Sequence, residues 1–166
     1  MRVNEYKLML DENKLYVQLM KERGRNYAGT RLTSPEEVYN FMCSQFQLNE
    51  LAEEYAYCLY FRKNKCLGVS EIGHGASDAV AVSSASVFTR ALLLGASEFV
   101  LVHNHPSGDS RPSAKDVVVS ENLNKAAKLL HLEMLDFIIV GSNNVLSFRN
   151  NKIGGFEDEN QNQRSL

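Results

Sequence analysis

The chain has 166 residues, and its 18 Lys and Arg residues against 20 Asp and Glu residues give a formal net charge of −2. This length suits one compact core, and 44% hydrophobic with 23% charged residues argues against a mostly disordered chain. The near-neutral charge argues against autonomous DNA binding, and no apolar run approaches the roughly 18 residues that a membrane-spanning helix needs. We therefore expect a soluble, cytoplasmic protein without a membrane partner, whose oligomeric state the sequence leaves open.

Residues 1–33 form an N-terminal segment without a clear hydrophobic period. Residues 1–21 are compatible with a strand or a short helix, and the run Glu-Arg-Gly-Arg-Asn at 22–26 indicates a turn or linker. A helix start is predicted at Ser34, because Pro35 suits the first helical position and Glu37 completes a capping box.

Strands and helices alternate over the rest of the chain, and residues 34–153 are predicted to form the main domain. Strands are predicted at residues 53–61, 66–72, 79–82, 99–102, 134–140 and 145–148. Two further helices are predicted, one from Ser83 or Ser84 to Gly95 and one opening at Ser113. Residues 154–166 are predicted to be a polar tail. The pattern indicates an α/β or α+β fold around a mixed sheet.

Two histidines and one aspartate form the pattern with the clearest chemistry. His103 and His105 follow a buried strand and face the same side, because alternate residues of a strand share a face. The chain then turns back, and Asp116 lies in the first turn of the next helix. Two imidazoles, one carboxylate and an open position for water match a catalytic zinc site. Ser113 and Asp116 equally form a capping box, which explains both residues without a metal.

The same residues resemble a known signature. His-Asn-His-Pro from His103, six further residues, and Ser-Ala-Lys-Asp ending at Asp116 match the JAMM motif, His-x-His-Pro…Ser-x-x-Asp. Over about residues 34–150 the chain resembles the RadC family of JAB/MPN domains. That resemblance implies a three-layer fold, with a mixed sheet flanked by helices, related in architecture to the cytidine deaminases. It also implies Zn²⁺ held by His103, His105 and Asp116, with Ser113 stabilising the oxyanion.

The resemblance further implies a glutamate that exchanges a proton with the attacking water. The RadC pattern Glu-x-(Phe/Tyr) fits Glu53 at the start of the first hairpin, so we predict Glu53 as the general base. Glu54 and Glu71 are the alternatives, although Glu54 is expected to face the opposite side of the strand. The chain departs from the family at Phe137, where RadC proteins usually have a histidine.

The function implied by the resemblance is metal-assisted hydrolysis of a peptide or isopeptide bond in a protein substrate. One alternative is a RadC-type protein associated with DNA repair or with mobile elements, although the net charge does not support DNA contact. Full-length RadC proteins resemble helix-hairpin-helix DNA-binding proteins in an N-terminal domain, and residues 1–33 lack that motif. A non-catalytic MPN interaction module is the other alternative. A deaminase would need His-x-Glu and Pro-Cys-x-x-Cys, which this sequence lacks.

Overall fold

The computed structural model describes residues 1–75 and 82–157. In these ranges, the strands form one mixed sheet in the order β2-β1-β4-β3-β5-β6-β7. The strands are β1 (Arg2–Leu10), β2 (Val17–Asn26), β3 (Glu54–Arg62), β4 (Lys65–Gly75), β5 (Glu98–Asn104), β6 (Glu133–Val140) and β7 (Val145–Ser147). The helices are α1 (Pro35–Phe46), α2 (Ser84–Leu94), α3 (Ala114–Leu129) and α4 (Phe148–Asn151). None of these helices is both long and apolar enough to cross a bilayer.

Helices cover both faces of the sheet, which confirms the predicted fold class. On one face, α2 and α3 pack over a core that includes Tyr60, Phe99 and Leu101. On the other face, α1 packs through Phe41 against a second core that includes Val102. The crossover through α3 joins the parallel strands β5 and β6, as such a connection requires. The polar end of β5 therefore lies beside the start of α3.

The predicted helix starts are confirmed by their capping geometry. Ser34 accepts a hydrogen bond from the backbone of Glu37, whose side chain returns one to Ser34. Ser83 caps α2, and Gly95 ends it in the left-handed conformation that glycine tolerates. Ser113 caps α3 with the same reciprocal arrangement as α1.

The N-terminal residues form a β-hairpin that joins the edge of the sheet, so the predicted turn or linker at residues 22–26 is wrong. Those residues belong to β2, where Arg23 and Arg25 lie 3.1 and 2.8 Å from the Glu5 carboxylate of β1. An edge strand tolerates such charges because one of its sides is open to solvent. The predicted strand at residues 79–82 and the tail beyond residue 157 fall outside the described residues, except for Val82, which is not in a strand.

Candidate metal centre

Two imidazoles converge at the carboxyl end of β5. His103 is the penultimate residue of the strand, and His105 follows it with its backbone N–H donating to the carbonyl of Val140, 2.9 Å away. This bond prolongs the pairing with β6, so both histidines keep the strand's alternation. Their rings lie with centroids 4.8 Å apart and planes at 86°. The pair therefore projects to one side of the sheet, as predicted.

Helix α3 brings a carboxylate to both rings. Asp116 Oδ1 lies 3.4 Å from His103 Nε2, and Asp116 Oδ2 lies 3.4 Å from His105 Nε2. The Ser113 backbone N–H and hydroxyl both donate to Oδ2, at 2.7 and 2.6 Å. The capping box at the start of α3 thus fixes the carboxylate where the two Nε2 atoms meet. The sequence offered helix capping and metal binding as alternative explanations of Ser113 and Asp116. In the structure, the capping box and the approach of Asp116 to both imidazoles occur together.

The opposite nitrogen of each ring has a hydrogen-bond acceptor. His105 Nδ1 lies 2.7 Å from the carbonyl oxygen of Asp109, which can only accept, so this nitrogen carries the proton. His103 Nδ1 lies 2.7 Å from Oε1 of Glu54. With protons on both Nδ1 atoms, the Nε2 lone pairs of neutral rings face Asp116. This arrangement orients metal-binding histidines in proteins.

His103 Nε2 is a buried polar atom without a hydrogen-bond partner among the described residues. Its residue is 1% exposed, so burial without a partner carries a free-energy cost. One atom each from Glu54, His103, His105 and Asp116 lie within 4.8 Å of one another. A cation between them would supply the missing partner. The donor set of imidazole nitrogens and carboxylate oxygens therefore fits a metal ion.

Glu54, rather than Glu53, lies at the cluster. Ala56 of β3 pairs with His103 of β5, so Glu54, two residues before Ala56, shares the face of His103. Glu54 is 7% exposed, whereas the Glu53 side chain is 57% exposed and lies 3.8 Å from His74. The structure thus does not bring Glu53 to His103 and His105, although the general-base role predicted for Glu53 requires it to lie beside them. Adjacent strand residues do face opposite sides, as expected, but the register of β3 against β5 selects the other glutamate.

Glu71, the third candidate, also lies outside the cluster. Its carboxylate is 3.9 Å from Nδ1 of His74, and its side chain is 46% exposed. His74 stacks on the ring of Tyr55, with centroids 4.9 Å apart. Glu53, Glu71, His74 and Tyr55 thus form a separate surface cluster.

Asn104 is a buried residue of the site region that the motif left unassigned. Its Oδ1 accepts a hydrogen bond from the Tyr55 backbone at 2.8 Å, and its Nδ2 donates to the Glu53 carbonyl at 3.0 Å. These two bonds hold the backbone on both sides of Glu54. The signal in the sequence is its position between two histidines on a strand, which sends its side chain to the opposite face.

Phe137 packs against the metal-binding candidates without contributing a polar atom. Its ring centroid lies 5.1 Å from that of His103 and 4.7 Å from that of Phe148. The Phe137 ring thus forms an apolar wall behind His103. Such a wall lowers the local dielectric and strengthens electrostatic interactions in the cluster.

The cluster shifts the protonation of its members. The hydrogen bond with Asp116 raises the pKa of His105 above its usual value of 6.5, against the opposing effect of burial. Burial alone would raise the pKa of Asp116, but the hydrogen bond with His105, the charge of His103 and the hydrogen bonds from Ser113 together lower it to about 2. Asp116 is therefore a carboxylate at neutral pH, as a metal ligand must be.

The fold and this cluster define a class of protein, a JAB-type domain with a candidate metal centre at the end of a central strand. The family described as the RadC-like JAB domain matches residues 32–153. The chain belongs to that family.

Three relatives extend the comparison. The chain is 35% identical over 126 residues to a UPF0758 protein of Coprothermobacter proteolyticus, covering 74% of this chain and 54% of the relative. It is 35% identical over 120 residues to a UPF0758 protein of Methanosarcina mazei, with coverages of 72% and 52%. It is 37% identical over 114 residues to a UPF0758 protein of Alkaliphilus metalliredigens, with coverages of 68% and 48%. The chain spans about half the length of these curated relatives.

Proposed function

We propose that this protein is a zinc-dependent hydrolase that cleaves a peptide or isopeptide bond. The observation that carries the proposal is the buried Nε2 of His103, which has no hydrogen-bond partner in the described ranges 1–75 and 82–157 and meets Nε2 of His105 at one carboxylate. Structural zinc sites use four protein ligands, often thiolates, whereas catalytic sites combine three nitrogen or oxygen ligands with an open position. The JAB family supports the same class of chemistry.

His103, His105 and Asp116 are the residues that would hold the ion. The ion would supply Lewis-acid polarisation of the substrate carbonyl and would lower the pKa of the attacking water. Protons on the two Nδ1 atoms keep Nε2 free for this role, and the Glu54 carboxylate and the Asp109 carbonyl hold those protons. Zn²⁺ suits this donor set, because it accepts imidazole and carboxylate ligands at tetrahedral positions.

Glu54 is the group that we assign to proton transfer. A carboxylate oxygen of Glu54 lies within 4.8 Å of the other three donor atoms, close enough to act on a water molecule beside them. It takes one proton from the attacking water and delivers it to the leaving amine, so the carboxylate is regenerated. Glu53, the residue predicted from the family pattern, lies at the surface cluster with His74.

Ser113 positions Asp116 in this proposal. Its hydroxyl donates to Asp116 Oδ2 at 2.6 Å and accepts from the Asp116 backbone N–H. The resemblance also predicts that the Ser113 hydroxyl stabilises the oxyanion. For that role the hydroxyl would have to give up its hydrogen bond to Asp116 and donate to the substrate instead. That second role stays a prediction.

The test combines metal analysis with a matched pair of variants. We expect about one zinc per chain in the purified protein, removed by a chelator. In a screen of peptides and isopeptide-linked substrates, Glu54→Gln should lower the cleavage rate about 10²- to 10⁴-fold with zinc retained. Glu53→Gln, one residue away and outside the cluster, should leave the rate within about twofold of wild type.

Two outcomes would contradict the proposal. A wild type that binds no metal, even after incubation with Zn²⁺, would favour the non-catalytic interaction module. Loss of cleavage in Glu53→Gln but not in Glu54→Gln would return the general-base role to Glu53.

A further inference from the structure

The hairpin of β1 and β2 ends in an apolar arm, which we define as residues 7–20. The parallel pairing of β1 with β4 is registered at Glu5 and Val69, and Ser70 bonds the carbonyl of Tyr6. Beyond that point β1 is held by its pairing with β2. The arm exposes six large apolar side chains, which are Met9, Leu10, Leu15, Tyr16, Val17 and Met20, each between 44% and 72% exposed.

The apolar residues lie on both faces of the arm. Leu8 pairs with Leu19 and Leu10 with Val17 on one face, while on the other face Met9 pairs with Gln18 and Met20 with Lys7. A solvated two-stranded ribbon is normally polar on at least one face. An arm that is apolar on one face and exposes two methionines on the other is typical of an interaction surface.

The two halves of β2 differ in their protection against edge-to-edge pairing. The half after Met20 carries Lys21, Glu22 and Arg23 and a bulge at the pairing with Glu5 and Tyr6, which are features that block pairing with another strand. The half from Val17 to Met20 has no charged residue, and its outer edge has no strand partner in the described part of the chain. The unprotected half coincides with the exposed apolar side chains.

We infer that the apolar arm is a dimer interface that pairs with the same arm of a second copy of this chain. Along the paired β2 edges, side chains of the two copies would contact one another as cross-strand neighbours. A twofold axis normal to the sheet would place two β2 strands antiparallel and keep the faces of both copies aligned. Pairing the free edges would also satisfy their open backbone groups.

One register suits the sequence of the arm. A twofold axis at Gln18 sets Val17 opposite Leu19 and Tyr16 opposite Met20, so apolar residues face apolar residues on both sides of the sheet. An axis shifted to Lys21 or Glu22 would set like charges opposite one another, which is destabilising. The dimer therefore has its axis at Gln18.

The first experiment measures the mass of the full chain by sedimentation equilibrium. We expect wild type to form a dimer with a Kd below about 100 μM, and Val17→Lys to weaken it at least tenfold. Val118→Lys is the matched control, because Val118 on α3 is 55% exposed and Val17 is 51% exposed. That control should remain as dimeric as wild type, and circular dichroism should show both variants folded.

The second experiment tests the register by oxidative cross-linking. Two Cys residues at position 18 would lie directly opposite, within about 4.5–5.5 Å, so Gln18→Cys should form a disulfide-linked dimer. Lys21→Cys should not, because the two copies of that residue would be about 20 Å apart in this register. Wild type, with its own Cys43, Cys58 and Cys66, gives the background.

Three results would overturn the inference. They are a monomeric wild type up to about 200 μM, equal cross-linking of the two cysteine variants, or binding of the monomer to phosphatidylglycerol vesicles that Val17→Lys abolishes. The last result would assign the arm to a lipid surface. Each readout is independent of metal content and hydrolysis, so the inference and the proposed function can fail separately.

Discussion

Two clusters of histidine and carboxylate side chains lie at the same end of the sheet, on opposite faces. Glu54 belongs to the candidate metal centre, and its neighbour Glu53 belongs to the surface cluster. In the candidate metal centre, two Nε2 atoms converge on Asp116 and the Glu54 side chain is nearly buried. In the surface cluster, His74 turns Nε2 toward Glu53 and Nδ1 toward Glu71, at 3.8 and 3.9 Å. Both clusters contain two carboxylates and at least one imidazole, yet their geometry differs.

The difference shows that convergence, rather than composition, makes a metal site. In the surface cluster, the carboxylates of Glu53 and Glu71 lie at opposite nitrogens of one imidazole, whereas in the candidate metal centre two Nε2 atoms meet at one carboxylate. The side chains of Glu53, Glu71 and His74 are about half exposed, so water can solvate each of them. In the candidate metal centre, burial leaves His103 Nε2 without a hydrogen-bond partner among the residues that the structure describes, and a cation bound there would satisfy it.

The largest expected effect is on zinc affinity, which should depend on the histidines of the candidate metal centre and not on the histidine of the surface cluster. His103→Ala removes the buried ligand and should weaken zinc binding by more than about a hundredfold. His74→Ala should leave the affinity unchanged, because its ring contributes to the surface cluster alone. Competition with a chromophoric chelator measures both. Equal losses in the two variants would erase the distinction drawn between the clusters.

Asn104 links the two faces, and its removal should affect the metal centre through Glu54. Asn104→Ala leaves the Tyr55 N–H and the Glu53 carbonyl without their partner, which should lower the free energy of unfolding by about 1–3 kcal/mol. Zinc affinity should fall about tenfold or more, as for other residues that orient ligands. Asn49→Ala, at an exposed amide on Ser142, is the control for both. Lower stability with unchanged affinity would limit Asn104 to a structural role.

Two capping boxes with the same reciprocal bonding, Ser34 with Glu37 and Ser113 with Asp116, allow the role of Ser113 to be isolated. Ser34→Ala and Ser113→Ala each remove the cap of a helix and should each cost about 1 kcal/mol in denaturant unfolding. Only Ser113→Ala should also weaken zinc binding, by several-fold, because only its partner, Asp116, is a ligand candidate. If Ser113→Ala bound zinc as tightly as Ser34→Ala, the cap would have no part in orienting the ligand.

The smallest effect concerns the pH dependence of the metal-free protein. The folded-state pKa of His105 is raised by Asp116, so the charged imidazole stabilises the fold fully below about pH 6.5, its unfolded value. This contribution is lost as the pH rises through the higher folded-state pKa. In chelator, wild type should exceed Asp116→Asn in Tm by about 2–5 °C near pH 6, and the gap should narrow toward pH 9. A gap that widens with pH would contradict the ion pair.

The sequence predicted the parts of the fold that depend on local signals. The capping residues Ser34, Ser83 and Ser113 mark helix starts by chemistry that is contained within four positions. The spacing of His103 and His105 likewise predicts a shared face. The second half of β2 was predicted as a turn because it is charged, and the charges of Arg23 and Arg25 are paired with Glu5, which lies on the other strand of the hairpin.

The choice between Glu53 and Glu54 shows what local signals cannot supply. Alternation predicts that the two side chains face opposite sides, and in the structure Glu54 contacts His103 whereas Glu53, which directly precedes β3, lies beside His74. It does not state which side the histidines share, because that depends on the pairing of Ala56 with His103. A shift of one residue in that register would exchange the two glutamates. Long-range pairing, rather than residue type, therefore assigns the carboxylate.

The contact between Glu54 and His103 also affects the stage of folding at which a metal ion could bind the candidate centre. The two residues are 49 positions apart, and their strands must pair before the carboxylate can hold the imidazole. A zinc finger, by contrast, collects ligands from a short stretch and folds around its ion. A metal ion bound at this candidate site would therefore enter after the sheet has formed. We therefore expect the same refolding rate in stopped-flow measurements with Zn²⁺ or with chelator, and metal delivery to be the last event in the maturation of this chain.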